Sequence, residues 1–116
     1  MDEEKIVNEI NQEILRKEFD RYFNTLKEGI NREPYKNPYW NKAQALYNSI
    51  DENNRNNLRE FIKMIMIENV TEVLAYIDGV ATFKDQEYPF ELYYNGTKVN
   101  GSLQELLLMK IEEEQW

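Results

Sequence analysis

The sequence predicts an α+β fold: four to five helices, a small antiparallel β-hairpin or three-stranded sheet in the C-terminal third, and a closing helix. Three observations predict it. Apolar residues recur at three- and four-residue spacing through the first two-thirds of the chain. After Gly79 the period turns to alternation. Two Asn-Gly pairs, Asn95-Gly96 and Asn100-Gly101, then mark tight turns.

The first helix is expected from Asp2 to about Lys27, with Ile6, Ile10, Ile14, Phe19, Tyr22, Phe23, Leu26 and Ile30 as its apolar stripe. Asp2, Glu3 and Glu4 suit its first turn, where the helix dipole favours negative charge, and Gly29 is its stop. Pro34 and Pro38 keep the connector extended. Asn37 before Pro38 reads as an N-cap, and the short helix from Pro38 to about Ile50 turns Ala43, Leu46, Tyr47 and Ile50 inward. Asp51 to Asn57 is polar enough for a loop. Leu58, Phe61, Ile62, Ile65 and Met66 define a third helix, expected to be the central and most buried one because Met64 and Ile67 widen its apolar surface. Asn69-Val70-Thr71-Glu72 has the form of a capping box, which predicts a break near Glu68 and a fresh helix ended by Asp78-Gly79.

Val80 to Asp85 reads as a short strand, and Pro89 opens a clearer one. Alternation puts Phe90, Leu92 and Tyr94 on the inner face of that strand, with Glu91 and Tyr93 outside. Ser102 and Glu105 form the capping box of the last helix, buried by Leu103, Leu106, Leu107 and Ile111. The 116 residues carry no repeat, linker or composition break, so one domain, 1–116, is expected.

Composition removes several chemistries. Without cysteine or histidine there is no disulfide, no thiolate or imidazole metal ligand, and no Ser-His-Asp or Cys-His arrangement. Ser49 and Ser102 read as a helix end and a cap. The four glycines are dispersed and form no phosphate-binding loop. Carboxylates remain: Glu9 with Glu13 and Glu68 with Glu72 lie one helical turn apart, a spacing that oxygen-only magnesium or calcium sites use but that solvated helices also show. No cofactor is expected.

Fourteen basic against twenty-two acidic residues give a net charge of −8. Residues 1–50 hold nine acids and eight bases, whereas residues 51–116 hold thirteen acids and six bases. That second half repels nucleic acid and anionic membranes, and no segment has the apolar length of a membrane span. It would attract a basic protein partner, although charge of this size also serves solubility. The charged N-terminus lacks a secretory pattern, so a cytoplasmic protein is expected. The candidate partner-binding residues are Glu68, Glu72, Asp85, Glu87 and Glu91, with Tyr93 as an aromatic among them. Tyr35 joins them from the proline-stiffened stretch Arg32–Lys42, where Tyr39 and Trp40 either plug a gap between helices or present a binding surface.

Residues 73–114 resemble small, acidic bacterial proteins similar to immunity proteins of toxin systems. The resemblance rests on Ile77-Asp78-Gly79, Phe90-Glu91-Leu92, Asn95-Gly96, and Asn100-Gly101 with the leucine-rich helix after it. It implies a bacterial origin and inhibition by binding, and it brings no catalytic residues. The leading expectation is therefore a small acidic protein-binding module of the inhibitor or immunity type, not an enzyme. The alternative is a homo-oligomer burying the aliphatic surface of residues 61–67, and a third possibility is a carboxylate enzyme with a divalent metal.

Overall fold

The structure, a computed structural model, describes residues 1–29 and 37–116. Its helical elements are α1 (Glu3–Glu9), a π-helical segment (Ile10–Arg16), α2 (Lys17–Glu28), α3 (Pro38–Ser49), α4 (Glu52–Asp78) and α5 (Leu103–Glu114). Between α4 and α5 lie the strands β1 (Tyr93–Tyr94) and β2 (Thr97–Lys98), an antiparallel pair. The fold is α+β, and among the described residues its sheet has two strands.

The first helical run begins where expected: Asp2 caps it by accepting from the Lys5 N–H at 2.8 Å. Gly29 ends it at φ 89°. The buried row, however, is Val7, Asn11, Leu15, Phe19 and Phe23, not Ile6, Ile10 and Ile14. At 3.6 residues per turn a row of i, i+4 positions drifts by about 40° per step. The wider turns of the π segment offset that drift and hold one row against the same neighbours. Ile6 and Ile10 are half-buried, and Ile14 is exposed.

Asn37 caps α3 through Tyr39 N–H at 2.9 Å, with Pro38 in the first turn. Tyr47 is buried on this helix and Leu46 is not. The expected loop from Asp51 is instead the start of α4, since Asp51 accepts from Asn54 N–H at 2.8 Å and caps a helix that runs unbroken for 27 residues. The apparent capping box at Asn69 is unused. Its Thr71 hydroxyl bonds back to Ile67 O at 2.8 Å, and with no proline or glycine in the stretch the apolar period carries the helix through. Nor is residues 58–67 the most buried stretch: Ile62 and Met66 pack against the ring cluster of α2 and α3, while Phe61, Met64 and Ile65 on the other faces are exposed.

Among the described residues the core forms two clusters. Val7, Leu15, Leu74, Leu103 and Leu107 join α1, α4 and α5, while Phe19, Phe23, Leu26 and Tyr47 join α2 and α3. Met66 and Trp116 pack against both. Trp116 stands edge-on to Phe19 at 5.7 Å, with the Arg16 guanidinium over its ring at 5.2 Å.

Candidate functional site

The site is a groove between the C-terminal half of α4 and the chain that returns beside it. Gly79 takes φ 80° and ends α4, and Val80 N–H then closes on Ala75 O at 2.9 Å. The chain doubles back without forming the strand expected at Val80–Asp85. Gln86 makes a turn there instead: its side chain accepts from Phe83 N–H at 3.1 Å and donates to Tyr88 O at 2.9 Å. A strand needs a ladder partner, and these local bonds occupy the backbone groups first.

Asn100, which the sequence marked only as a turn, is buried and holds the far wall. Its amide oxygen accepts from Leu92 N–H at 2.9 Å, and its amide nitrogen donates to Ile77 O at 2.7 Å and Phe90 O at 2.9 Å. One side chain thus ties the end of α4 to the segment entering β1. Asp78 does the matching work for α5, accepting from Gly101 N–H at 2.7 Å and Gln104 N–H at 2.8 Å. Ser102 was expected to cap α5 but makes no side-chain cap bond, since the Asp78 carboxylate and Glu3, which accepts from Ser102 N–H, already supply the acceptors.

The groove these fixed walls define is about 500 Å³, lined by apolar residues from both sides and by Glu72 and Glu91. Tyr76 and Phe83 stack at 4.3 Å and 18°, and Phe90 meets Phe83 edge-on at 6.2 Å. The rings are not sequestered, for Phe83 is 56% exposed, Val73 59% and Phe90 48%. Together they leave half-exposed apolar surface on both walls of the groove. Tyr94 and Leu92, expected to point inward, are also exposed, at 50% and 42%, since a two-stranded hairpin has little sheet face to bury.

Of the candidate residues, the groove brings Glu72 and Glu91 together, and Tyr93 donates its hydroxyl to Glu91 Oε2 at 3.3 Å. Glu68 lies one turn before Glu72 on α4 and is exposed. Asp85 and Glu87 are exposed on the returning loop but do not line the groove. Tyr35 lies outside the described residues. Among the described residues none of Glu68, Glu72, Asp85, Glu87 and Glu91 is ion-paired, whereas Glu9, Glu13, Glu18, Glu52, Glu60 and Glu114 all are. No lysine or arginine among the described residues lines the groove. Among the described residues no three carboxylates are gathered as a metal site would need, and Glu9 and Glu13 pair with Lys5 and Lys17.

A second hollow of about 640 Å³ lies between α2, α3 and α4. Trp40 stacks on Tyr22 there at 5.4 Å and is partly buried, while Tyr39 is exposed. Its one carboxylate among the described residues, Glu18, is engaged by Arg21. Among the described residues no helix is long and apolar enough to cross a membrane. No family model matches the chain, and neither the curated proteins nor the solved structures yield a match.

Proposed function

We propose that this protein is a protein-binding module whose groove takes an apolar, basic segment of a partner. The observation that carries the reading is the coincidence of Glu72 and Glu91, both without a counter-ion, with the exposed rings of Phe83 and Phe90. Apolar contact supplies affinity, while uncompensated charge at the rim supplies orientation and rate. Binding of this kind requires no catalytic group, which accords with a chain lacking histidine and cysteine. An inhibitory or immunity-type role is the form of the reading that the sequence resemblance favours, and the absence of cysteine suits the cytoplasm.

Selection from a displayed library of random peptides tests it. Enriched sequences should combine lysine or arginine with aromatic or aliphatic residues, and Glu72→Lys/Glu91→Lys should abolish their capture. Selected peptides without basic bias, or indifferent to the charge reversal, would overturn the reading.

The exposed Phe61, Met64 and Ile65 on α4 favour a second reading, self-association through that helix. Sedimentation velocity decides it. A concentration-dependent shift removed by Phe61→Glu supports it, and a constant monomer across the micromolar range removes it.

A further inference from the structure

The groove also indicates in what conformation its occupant binds. Strand β1 pairs with β2 in the register Tyr93 to Lys98 and Tyr94 to Thr97, and Val99 N–H reaches Leu92 O at 2.7 Å. Leu92 with Val99 and Tyr94 with Thr97 are therefore the hydrogen-bonded pairs, and Tyr93 with Lys98 is the pair between them, whose backbone groups point away from the partner strand. Inward bonds agree with this phase: Leu92 N–H and Phe90 O both go to Asn100. The N–H and C=O of Glu91 and of Tyr93 thus face outward along one edge, two residues apart. Such a row is an open template for another strand.

The groove meets that edge at Glu91. Phe90, Glu91 and Leu92 all line it although they belong to alternating faces, while no residue of β1 or β2 does, so the edge runs on past the groove to Tyr93. Its opposite wall is α4, through Glu72, Val73 and Tyr76.

We propose that the occupant is an extended segment of a basic protein, added as a strand to the Glu91–Tyr93 edge. This rests on the reading of the groove as a binding site. Side chains of an added strand alternate, so one set meets Tyr76, Phe83 and Phe90 and the other carries lysine or arginine toward Glu72 and Glu91. A helix in the same groove would satisfy its own backbone and leave the four edge groups unused.

The test uses a capped heptapeptide alternating lysine with valine or phenylalanine, titrated against the full chain. Methylating the amide nitrogens of one alternate set should weaken binding at least about tenfold, and methylating the other set less than about twofold. Tyr93→Pro removes an edge donor that the hairpin does not use, so the variant should keep its circular dichroism spectrum and melting temperature yet lose binding about tenfold, while Tyr93→Ala keeps the edge. Amide exchange at Glu91 and Tyr93 should slow in the complex. If both methylated sets bind equally and Tyr93→Pro binds like the parent, while Glu72→Lys/Glu91→Lys still weakens binding, the groove stands and the added strand is wrong. If the peptide does not bind, or charge reversal leaves its affinity unchanged, both fall.

Discussion

Two regions of the molecule treat polar and apolar groups in opposite ways. Around Asn100 and Asp78, polar side chains lie in or beside the core and find backbone partners. Around Phe83 and Phe90, which lie between those two residues in sequence, half-exposed rings stand beside carboxylates that have no counter-ion among the described residues. The first arrangement lowers the free energy of the fold by itself. The second leaves half-exposed rings and solvated carboxylates side by side, the arrangement on which the proposed binding rests. The comparison teaches that a polar joint positions the groove. Asn100 ties the segment carrying Phe90 and Leu92 to the end of α4, and Asp78 ties the start of α5 to the same place.

The variant that breaks this comparison most is Asn100→Ala. It strands Leu92 N–H, Ile77 O and Phe90 O at a buried position, at a cost of about 3 kcal/mol in chemical denaturation. Amide protection at Leu92 should fall with it. A loss below about 1 kcal/mol would mean that the hairpin is held by its own turn.

The caps of α5 come next. Asp78→Ala removes two charge-assisted bonds to the helix start and should cost about 1–2 kcal/mol, whereas Ser102→Ala should change stability by less than about 0.5 kcal/mol. The reverse order would restore the Ser-x-x-Glu capping box that the sequence suggests.

Smaller still is the stability effect of Phe83→Ala. Half-exposed, the ring forfeits its stacking on Tyr76, about 1 kcal/mol, because little buried area goes with it. Its effect on binding should be larger than on melting temperature, and that inversion between the two regions is the sharper form of the comparison. A variant that loses stability and keeps binding would place Phe83 with the core.

Much of this fold was legible because its signals are local. Asp2, Asn37-Pro38 and Asn95-Gly96 act within a few residues of themselves, and each builds the cap or turn its type implies. Asn95 and Gly96 take φ 48° and 81°, the pair of positive angles a two-residue hairpin turn demands. What failed was competition at a distance. Ser102 looked like a cap, but Asp78 reaches the same helix start from 24 positions earlier in the chain. Asn69 looked like a boundary, but uninterrupted apolar spacing outweighed it. Within the candidate site, Glu72 and Glu91 were readable as acids near a turn. Phe83 and Phe90 read as strand residues and Asn100 as a turn, and Gln86 carries no signal, because their partners are set by how α4 and the returning chain meet.

The smallest effect lies at the other end of α5, where Glu114 repeats the satisfied arrangement at the surface. It accepts from Asn11 Nδ2 at 2.9 Å and from Arg16, joining the C-terminal end of α5 to the π segment. The Asn11 amide holds the Glu114 carboxyl below its ordinary range, with the charges of Arg16 and Lys110 adding and desolvation opposing. Depressed in the folded state, the group contributes stability that is present above the unfolded value and lost as pH falls from there through the lower folded one. Glu114→Gln should therefore flatten the acid limb of the stability curve while costing under about 1 kcal/mol at pH 7, as a partly exposed pair does. An acid limb unchanged by Glu114→Gln would show that the link between α5 and the π segment rests on Trp116 and its neighbours alone.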